Sequence, residues 1–192
     1  MKVLIFSGAL ERRPQSTSGK LSAYFIDQLS DIGVETEVFN LADSGIPLFD
    51  ITLGKKPIAV EVMINKFQEA DAHIWLAPLY HGSIPGVMKN CLDWLELTSQ
   101  FPKPYLMDKM IGLVSWADGA QAMQGINTMD AVAKSLRAWP LPFSVPITRS
   151  ELFHLSDPQR ISALYAAKLD LMVRLISTKH IATFKQEKTE RI

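Results

Sequence analysis

The sequence predicts an α/β protein with a doubly wound, five-stranded parallel sheet and helices on both faces. Three observations indicate this fold. Short apolar runs alternate along the chain with longer segments in which apolar residues recur every three or four positions, as in strands and amphipathic helices. The run at residues 2–7 has four consecutive apolar residues at its centre, and the run at residues 72–77 is apolar apart from His73, which is typical of parallel strands covered on both faces. Glycine and proline gather between the runs, where loops are expected.

The strands are predicted in chain order from these runs. The run at residues 34–41 alternates between apolar and polar residues, so we expect a half-exposed edge strand there. The last run is bracketed by prolines at positions 140, 142 and 146 and predicts a short edge strand, because proline interrupts the hydrogen bonds of a sheet. The predicted strands are residues 2–7, 34–41, 72–77, 109–116 and 143–145.

Helices are predicted between the strands from apolar spacing and capping residues. The first runs from the serine turn at residues 16–18 to near Gly33. The last is expected to begin at Asp157, a good N-cap residue, with Pro158 in its first turn. The others are expected at residues 57–71, 87–95 and 126–139. We expect the whole chain, residues 1–192, to form a single domain, with a charged tail at about residues 185–192.

Composition argues against several classes of protein. Hydrophobic residues make up 47% and charged residues 21% of the chain, as in a folded globular protein. Basic and acidic residues number 20 each, and this balance argues against a nucleic-acid surface. No apolar run approaches the roughly 20 residues of a membrane span, and residues 11–13 end the first apolar run too early for a signal peptide. We therefore expect a cytoplasmic protein with no nucleic-acid or membrane partner.

The single cysteine, Cys91, excludes an internal disulfide. It lies on the apolar side of the helix predicted at residues 87–95. We interpret it as a small core residue rather than a nucleophile. No metal ligand set is predicted.

The stretch from Pro78 to Gly86 is the feature on which the functional interpretation depends. It follows a buried strand and precedes a helix, with prolines at both ends and glycines where the backbone must approach another group closely. In an open α/β sheet, ligands bind at this position, beyond the carboxyl ends of the strands. The residues expected to contact the ligand here are Pro78, Leu79, Tyr80, His81, Gly82 and Ser83.

The same stretch, continued into the following helix, resembles a known family. The pattern Pro78-x-Tyr80-x-Gly82-Ser83-x-Pro85-Gly86-x-x-Lys89-Asn90-x-x-Asp93-Trp94 is similar to the signature of the NADPH-dependent FMN reductases, which are flavodoxin-like flavoproteins. The resemblance implies an FMN cofactor. It also implies that the loop lies along the isoalloxazine ring and binds the polar edge of the ring largely through backbone N–H groups.

The loop after the first strand is a candidate phosphate site. Its N–H groups and the start of the next helix converge, and the helix dipole favours an anion there. A serine N-cap with solvated arginines explains the loop sequence alone equally well, but the nearby signature favours the phosphate. In the family pattern, Ala9 replaces a serine and Glu11 an arginine, so Arg12 is the substitute candidate. The predicted phosphate residues are Gly8, Arg12, Ser16, Thr17 and Ser18.

This loop is neither a P-loop nor a dinucleotide fingerprint. Ser18-Gly19-Lys20 resembles the end of a P-loop, but Pro14 stands where the first glycine is needed and Leu21 where a serine or threonine is needed. The turn also lacks the G-x-G-x-x-G of a dinucleotide-binding Rossmann fold.

A third loop follows the fourth strand, at the same end of the sheet. The resemblance implies that a small-residue, glycine-bearing loop here contacts the flavin, and the residues in this position are Trp116, Ala117, Asp118 and Gly119. Trp116 either covers the ring edge or anchors the loop in the core, and we favour the core. The flavodoxin-like strand order 2-1-3-4-5 places the topological switch point between strands 1 and 3, where two of these loops begin.

The resemblance implies an FMN-dependent NAD(P)H oxidoreductase that passes hydride to a small acceptor. Hydride chemistry resides in the flavin N5, so the protein supplies position and electrostatics, and no catalytic acid–base pair is required. Backbone donors near the flavin N1 would stabilise the charge of the reduced ring. The sequence leaves open whether NADPH or NADH is the donor, whether FMN stays bound, and whether the acceptor is free flavin, a quinone or an azo compound.

Three other classes of protein are less compatible with the sequence. A flavodoxin-type electron carrier without NAD(P)H turnover is the alternative, although such carriers tend to be strongly acidic and this chain is neutral. A response-regulator receiver needs acidic residues after strand 1 and an aspartate at the end of strand 3, where this chain has Ser7-Gly8 and Ala77-Pro78. A serine hydrolase is disfavoured because the sequence has no G-x-S-x-G.

Two further expectations concern single side chains and assembly. His81 is the one titratable side chain of the loop at residues 78–83 and a weak catalytic candidate, although a solvated histidine is the more common case. The large apolar residues after the helix predict a homodimer or a dimer of dimers whose contact completes the flavin pocket, and ordinary core packing of some of them is the alternative. The residues of this predicted patch are Trp94, Leu95, Leu97 and Phe101.

Overall fold

A computed structural model describes residues 1–178 of the chain. The tail predicted at residues 185–192 lies outside this part. The strands are β1 Lys2–Ser7, β2 Glu35–Asn40, β3 Ala72–Pro78, β4 Met110–Ala117, β5 Trp139–Thr148, β6 Phe153–His154 and β7 Asp157–Ile161. The helices are α1 Thr17–Asp31, α2 Ile58–Glu69, α3 Gly86–Asp93, α4 Ala122–Ser135, α5 Arg149–Leu152 and α6 Ala163–Ser177. Short 3₁₀ helices occupy Leu41–Asp43 and Trp94–Thr98.

The main sheet has five parallel strands in the order β2-β1-β3-β4-β5. This confirms the predicted flavodoxin-like topology. The order reverses between β1 and β3, so the loops that leave these strands diverge to opposite faces and open a crevice at their carboxyl ends. The sheet topology therefore places the loops after Ser7 and Pro78 side by side.

Alternate side chains of β1 supply the two cores on either side of the sheet. Leu4 and Phe6 belong to the core under α2, α3 and α4, whereas Val3 and Ile5 belong to the core under α1 and α6. All four side chains are fully buried. Because successive residues of a strand point to opposite faces, a continuous apolar run is what a strand with both faces covered requires.

β5 is longer than the sequence predicts. It runs from Trp139 to Thr148, ten residues instead of three, and its pairing with β4 is irregular between Ile111 and Leu113. The prolines at positions 140, 142 and 146 are tolerated because β5 forms the border of the sheet, where a missing amide faces no second neighbour. Proline therefore restricts such a strand to the edge of the sheet but does not limit its length.

The last helix does not begin at Asp157 and Pro158 as predicted. These residues start β7, which pairs with β6 in a small antiparallel hairpin, and α6 begins after Ser162. Lys20 holds the hairpin against α1, since its Nζ donates to the Pro158 carbonyl at 2.6 Å and lies 4.3 Å from the centre of the Phe153 ring. These tertiary contacts outweigh the local capping signal.

Two of the four residues of the predicted dimer patch are buried in the core. Trp94 is 1% exposed and Leu95 fully buried, while Leu97 packs partly buried against the same core. Phe101, 44% exposed, is the member of the group that faces solvent.

Helix α4 starts four residues earlier than expected and ends at Ser135. In the part of the chain that the structure describes, no helix is long and apolar enough to cross a membrane.

Candidate functional site

A crevice of about 890 Å³ opens at the carboxyl ends of β1, β3, β4 and β5. Its walls come from the three loops that the sequence singles out, together with the start of α3 and the first residue of α5. The lining residues are Ala9, Leu10, Glu11, Pro78, Leu79, Tyr80, His81, Ile84, Pro85, Gly86, Val87, Trp116, Ala117, Asp118 and Arg149.

A tight reversed turn forms the wall after β3. The Tyr80 amide donates to the Ser83 carbonyl at 2.8 Å, and the Ser83 amide donates to the Tyr80 carbonyl at 3.0 Å. The central residues His81 and Gly82 both have positive φ, 50° and 81°, which is the conformation of a type I′ turn. Glycine adopts it freely, whereas histidine does so at some cost. The sequence therefore predicts the loop, but not its conformation.

This turn leaves donors free. Among the described residues, the amides of His81 and Gly82 donate to no protein acceptor, and the turn is fixed at its base by the Leu79 amide, which donates to the Trp116 carbonyl at 2.8 Å. Polar backbone groups next to a largely apolar crevice need a partner from water or a ligand. The turn is thus preorganised to donate hydrogen bonds to the acceptor-rich edge of a ring.

The loop after β1 provides a second set of free amides. Within residues 1–178, no protein acceptor is found for the amides of Thr17 and Ser18, at the start of α1. Ser16 is the N-cap, and its Oγ accepts from the Gly19 amide at 3.1 Å. The buried Ser18 hydroxyl lies 3.1 Å from the Ser16 Oγ. This is the arrangement of an anion site at a helix N-terminus.

Gly8 lies at the base of the same loop. Its amide donates to the Leu76 carbonyl at 2.8 Å, and a Cβ at this position would overlap the Sδ of Met88 on α3. Close approach of α3 to β1 therefore requires glycine here. Gly8 shapes the floor between the two loops, although its own atoms do not line the crevice.

The arginines of this loop are held elsewhere. Arg12 donates from Nη2 to the Ala42 carbonyl at 2.7 Å, and its Nε lies 3.0 Å from Asp43 Oδ1. Arg13 is paired with Glu11. A contact between Arg12 and a phosphate would require it to leave the turn after β2. The phosphate role of Arg12 stays a prediction.

The third loop contributes through the end of β4. Trp116, Ala117 and Asp118 line the crevice, whereas Gly119 does not. Trp116 is buried, as the core interpretation predicts, and still presents an edge to the crevice. Gly125 lies in α4, where a Cβ would overlap the Ser115 Oγ. It allows α4 to pack closely on β4.

Asn90 and Trp94, which belong to the recognised signature, do not reach the crevice. The Asn90 side chain accepts from the Phe49 amide at 2.7 Å and donates to the Pro47 carbonyl at 2.8 Å. The Trp94 Nε1 donates to the same carbonyl at 3.0 Å. Both residues therefore hold the loop after β2 against α3. The signature therefore contains two kinds of residue. Some belong to the loop that borders the crevice, and others hold the loop after β2 in place.

Seven of the fifteen predicted site residues line the crevice, namely Pro78, Leu79, Tyr80, His81, Trp116, Ala117 and Asp118. The other eight are not among the lining residues: Gly8, Arg12, Ser16, Thr17, Ser18, Gly82, Ser83 and Gly119. The predicted set omits Arg149 and, in the loop after β1, Ala9, Leu10 and Glu11. Ile84, Pro85, Gly86 and Val87 are quoted only within the signature and its helix. Those four follow directly from the helix start, so their sequence position was a usable signal. Arg149 has no such signal, because it reaches the site through strand pairing.

The single cysteine, Cys91, is buried. Burial raises the pKa of the Cys91 thiol to about 12, so this residue stays protonated and unreactive. Within residues 1–178, no cluster of three or more histidine, cysteine, aspartate or glutamate side chains is placed to hold a metal ion.

The residues present fit FMN. Free amides in the reversed turn face the position expected for the polar edge of a flat ring, and apolar side chains such as Leu10, Pro85 and Trp116 supply surfaces for its faces. The free amides of Thr17 and Ser18, with two serine hydroxyls, suit a phosphate. These two donor sets lie in the loops that follow adjacent strands, β3 and β1.

The chain is similar in sequence to an FMN reductase and an azoreductase. The chain is 28% identical, over 75% of its length, to the NADPH-dependent FMN reductase ArsH of Acidithiobacillus ferrooxidans, and it spans 60% of the length of that relative. It is 27% identical to the FMN-dependent NADPH-azoreductase of Staphylococcus aureus strain USA300, with 82% of each chain covered.

A solved structure and a family model also match the chain. The fold is similar to that of FerB, a flavoenzyme NAD(P)H:(acceptor) oxidoreductase from Paracoccus denitrificans, with a TM-score of 0.72 and 18% identity over 91% of this chain and 96% of the other. At this identity the likeness shows the fold. Residues 1–150 match the profile of the NADPH-dependent FMN reductases, whose members use FMN and a nicotinamide donor. The chain belongs to the NADPH-dependent FMN reductase family.

Proposed function

We propose that this chain is an FMN-dependent NAD(P)H oxidoreductase that passes reducing equivalents to a small acceptor. The observation that carries the proposal is the reversed turn at residues 80–83, which borders the crevice and whose two central amides donate to no protein acceptor among the described residues. FMN, when bound, supplies hydride acceptance at N5 and electron donation to the acceptor. We propose free flavin, quinones and azo compounds as the acceptor classes to test, and the azoreductase relative named above supports the azo compounds.

The roles of the protein groups follow from their positions. The amides of His81 and Gly82 would donate to the pyrimidine edge of the ring and stabilise negative charge there. The amides of Thr17 and Ser18, with the hydroxyls of Ser16 and Ser18, would bind the phosphate at the positive end of the α1 dipole. Side chains on the opposite wall would position the ring. No step requires a proton from a protein side chain.

The electron-carrier alternative is tested by the same preparation. Purified protein loaded with FMN is mixed with NADPH or NADH without oxygen, and flavin absorbance is followed. We expect bleaching by one or both donors and recovery of absorbance on adding a naphthoquinone. Bound FMN that is not bleached by either donor would support the carrier and overturn the proposed enzyme.

Cofactor binding itself is tested with FMN and riboflavin. We expect saturable FMN binding at micromolar concentration or tighter, and weaker riboflavin binding, because riboflavin lacks the phosphate. Absence of saturable FMN binding would overturn the assignment regardless of the fold. Equal affinity for the two flavins would overturn the phosphate site alone.

Location and assembly remain part of the proposal. We propose work in the cytoplasm, where NAD(P)H is generated, and a homodimer or a dimer of dimers. The exposed apolar side chains that support self-association are Leu48, Ile51 and Leu53 in the loop after β2 and Ile58 and Val62 on α2. Sedimentation at several concentrations tests the assembly, and Ile58→Glu with Val62→Glu should shift the mass towards the monomer. A monomer at all concentrations would refute it.

A further inference from the structure

The rim of the crevice carries an ion pair that the proposed reaction does not use. Ala117 of β4 pairs with Thr148 of β5, and Asp118 and Arg149 occupy the next position on each chain segment. The Arg149 Nη2 lies 2.6 Å from Asp118 Oδ1, and both residues line the crevice. The pair joins the loop after β4 to the start of α5.

Arg149 supplies the formal positive charge of the crevice wall. Among the described lining residues, the other formally charged side chains are Glu11 and Asp118. Glu11 is already paired with Arg13, while the rest of the wall consists of apolar side chains, backbone and His81. An anionic group that enters the crevice therefore meets one guanidinium, and this guanidinium is occupied by an internal carboxylate.

The backbone beneath Arg149 is fixed. The Thr148 amide donates to the hydroxyl of Tyr165 on α6 at 2.9 Å, and that tyrosine is buried. Leu152, at the other end of α5, is fully buried, and its carbonyl accepts from the Ser162 amide at 2.8 Å. The guanidinium can change partner while its attachment point stays in place, as a preorganised binding group requires.

The ion pair is easily exchanged. The Arg149 and Asp118 side chains are 55% and 81% exposed, and exposed ion pairs are weak because water and salt screen them. A phosphate, carboxylate or sulfonate can accept two parallel hydrogen bonds from a guanidinium. A substrate anion held by the rest of the crevice would therefore displace Asp118.

We propose that Arg149 recognises an anionic group of the substrate and that Asp118 competes with it as an internal anion. The group is either a phosphate of the nicotinamide dinucleotide or a carboxylate or sulfonate of the acceptor. The inference rests on the proposed function and names a specificity determinant of the same crevice.

Two variants distinguish charge recognition from a simple tether. Arg149→Gln and Asp118→Asn both break the ion pair, so loss of a tether would change substrate binding in the same direction in both. Recognition of an anion predicts opposite directions, because one variant removes the cation and the other removes its competitor. Arg149→Lys keeps the charge without the planar fork and should fall between wild type and Arg149→Gln. Arg160→Gln removes an exposed cation outside the crevice and serves as control.

The activity measurement uses FMN-loaded protein and separates the two half-reactions. In the donor arm, kcat/KM is measured for NADPH and NADH with a neutral naphthoquinone. In the acceptor arm, kcat/KM for the neutral naphthoquinone is compared with that for its sulfonate. In the arm that contains the recognised anion, we expect about a tenfold decrease in Arg149→Gln and an increase of about threefold in Asp118→Asn. The arm that responds identifies the source of the anion.

A binding measurement makes the outcome independent of turnover. FMN-loaded variants are titrated with NADP⁺ and with the naphthoquinone sulfonate, and flavin absorbance reports binding. Opposite shifts of Kd in the two variants for one of these ligands support the proposal. Shifts in the same direction, or none for either ligand, overturn it. Wild type that does not oxidise NAD(P)H with the neutral quinone defeats the proposed function instead, and the titration still judges Arg149.

Discussion

The backbones of Tyr80 and Ser83 exchange two hydrogen bonds, N–H to carbonyl in each direction, at 2.8 and 3.0 Å. The two residues between them lie in the left-handed region of φ, and their amides donate to no protein acceptor among the described residues. A site that binds through backbone atoms depends on this conformation rather than on side-chain identity. The first two predictions test that dependence.

Gly82→Ala should weaken FMN binding. Gly82 has φ of 81°, and a Cβ there would lie 3.1 Å from Gln124 Oε1. A side chain in this region costs roughly 1 kcal/mol or more, which corresponds to about a five- to tenfold higher Kd for FMN if binding must restore the turn. Fluorescence titration of FMN measures it. Gly54→Ala, at a glycine with open surroundings and no positive φ, is the control, and equal Kd values for both variants would contradict the prediction.

His81→Asn should bind FMN more tightly than His81→Ala. Position 81 has φ of 50°, which asparagine adopts more readily than alanine. We expect a difference in Kd of about threefold from this backbone preference. A catalytic role for the imidazole makes a different prediction, an equal fall of kcat in both variants. Titration and steady-state kinetics on the same two proteins decide between them.

Ser18→Ala should discriminate between FMN and riboflavin. The buried Ser18 hydroxyl lies beside the free amides at the start of α1. Losing a donor to a charged phosphate should raise the Kd for FMN by about tenfold and leave the Kd for riboflavin unchanged. Ser30→Ala, on the exposed end of the same helix, controls for effects on α1. If the affinity for both flavins falls equally, the phosphate does not lie at Ser18.

Asn90→Ala should destabilise the protein rather than act at the flavin. Its side chain satisfies the Phe49 amide and the Pro47 carbonyl, and both lose that partner in the variant. We expect the free energy of unfolding to fall by about 1–3 kcal/mol. Urea unfolding measures it, with Lys89→Ala as the neighbouring control, since the exposed pair of Lys89 with Asp93 contributes less than about 1 kcal/mol. A drop of similar size in the control would refute the anchoring role.

His73 should make stability depend on pH. Its Nε2 donates to the Phe67 carbonyl at 3.0 Å, and its Nδ1 is buried without a partner. Burial, assisted by the charge of Lys109, lowers the pKa of His73 from 6.5 to about 3. The unfolded chain therefore takes up a proton below pH 6.5 that the native protein refuses. Stability is full above that pH and falls as pH drops towards 3, by about 2 kcal/mol at pH 5.

The measurement is urea unfolding of the protein without added FMN between pH 7.5 and 5. His73→Asn should lose this part of the pH dependence, whereas His154→Asn, at an exposed histidine, should keep it. If His73→Asn retains the full slope, the pH dependence comes from other groups.

The sheet is predictable from the sequence because each central strand carries its own signal. The apolar runs at residues 2–7 and 72–77 match β1 and β3 almost residue for residue. The errors fall where a tertiary contact overrides a local preference. Asp157 and Pro158 are good helix starters, yet the hairpin that Lys20 holds against α1 takes them instead. In the sequence, Trp94 and Leu95 resemble a surface patch, but the structure shows both side chains buried in the core.

The candidate site divides in the same way. Residues 78–83 are visible because a loop signature is contiguous in sequence. Arg149 is not, since it lies 31 positions after Asp118 in the printed sequence and meets it only through the register of β4 and β5. The positive φ of His81 could not be predicted either, because histidine rarely adopts that backbone conformation.

The proline-rich border strand has a consequence for how copies of this protein meet. Strand β5 lacks amide hydrogens at positions 140, 142 and 146, so an incoming extended segment finds an interrupted row of donors there. Continuous β-addition across that border is thereby blocked, and amyloid-like stacking loses one of its two natural starting points. Any contact between copies at this border would instead use helices and loops, whose side chains can change without disturbing the sheet.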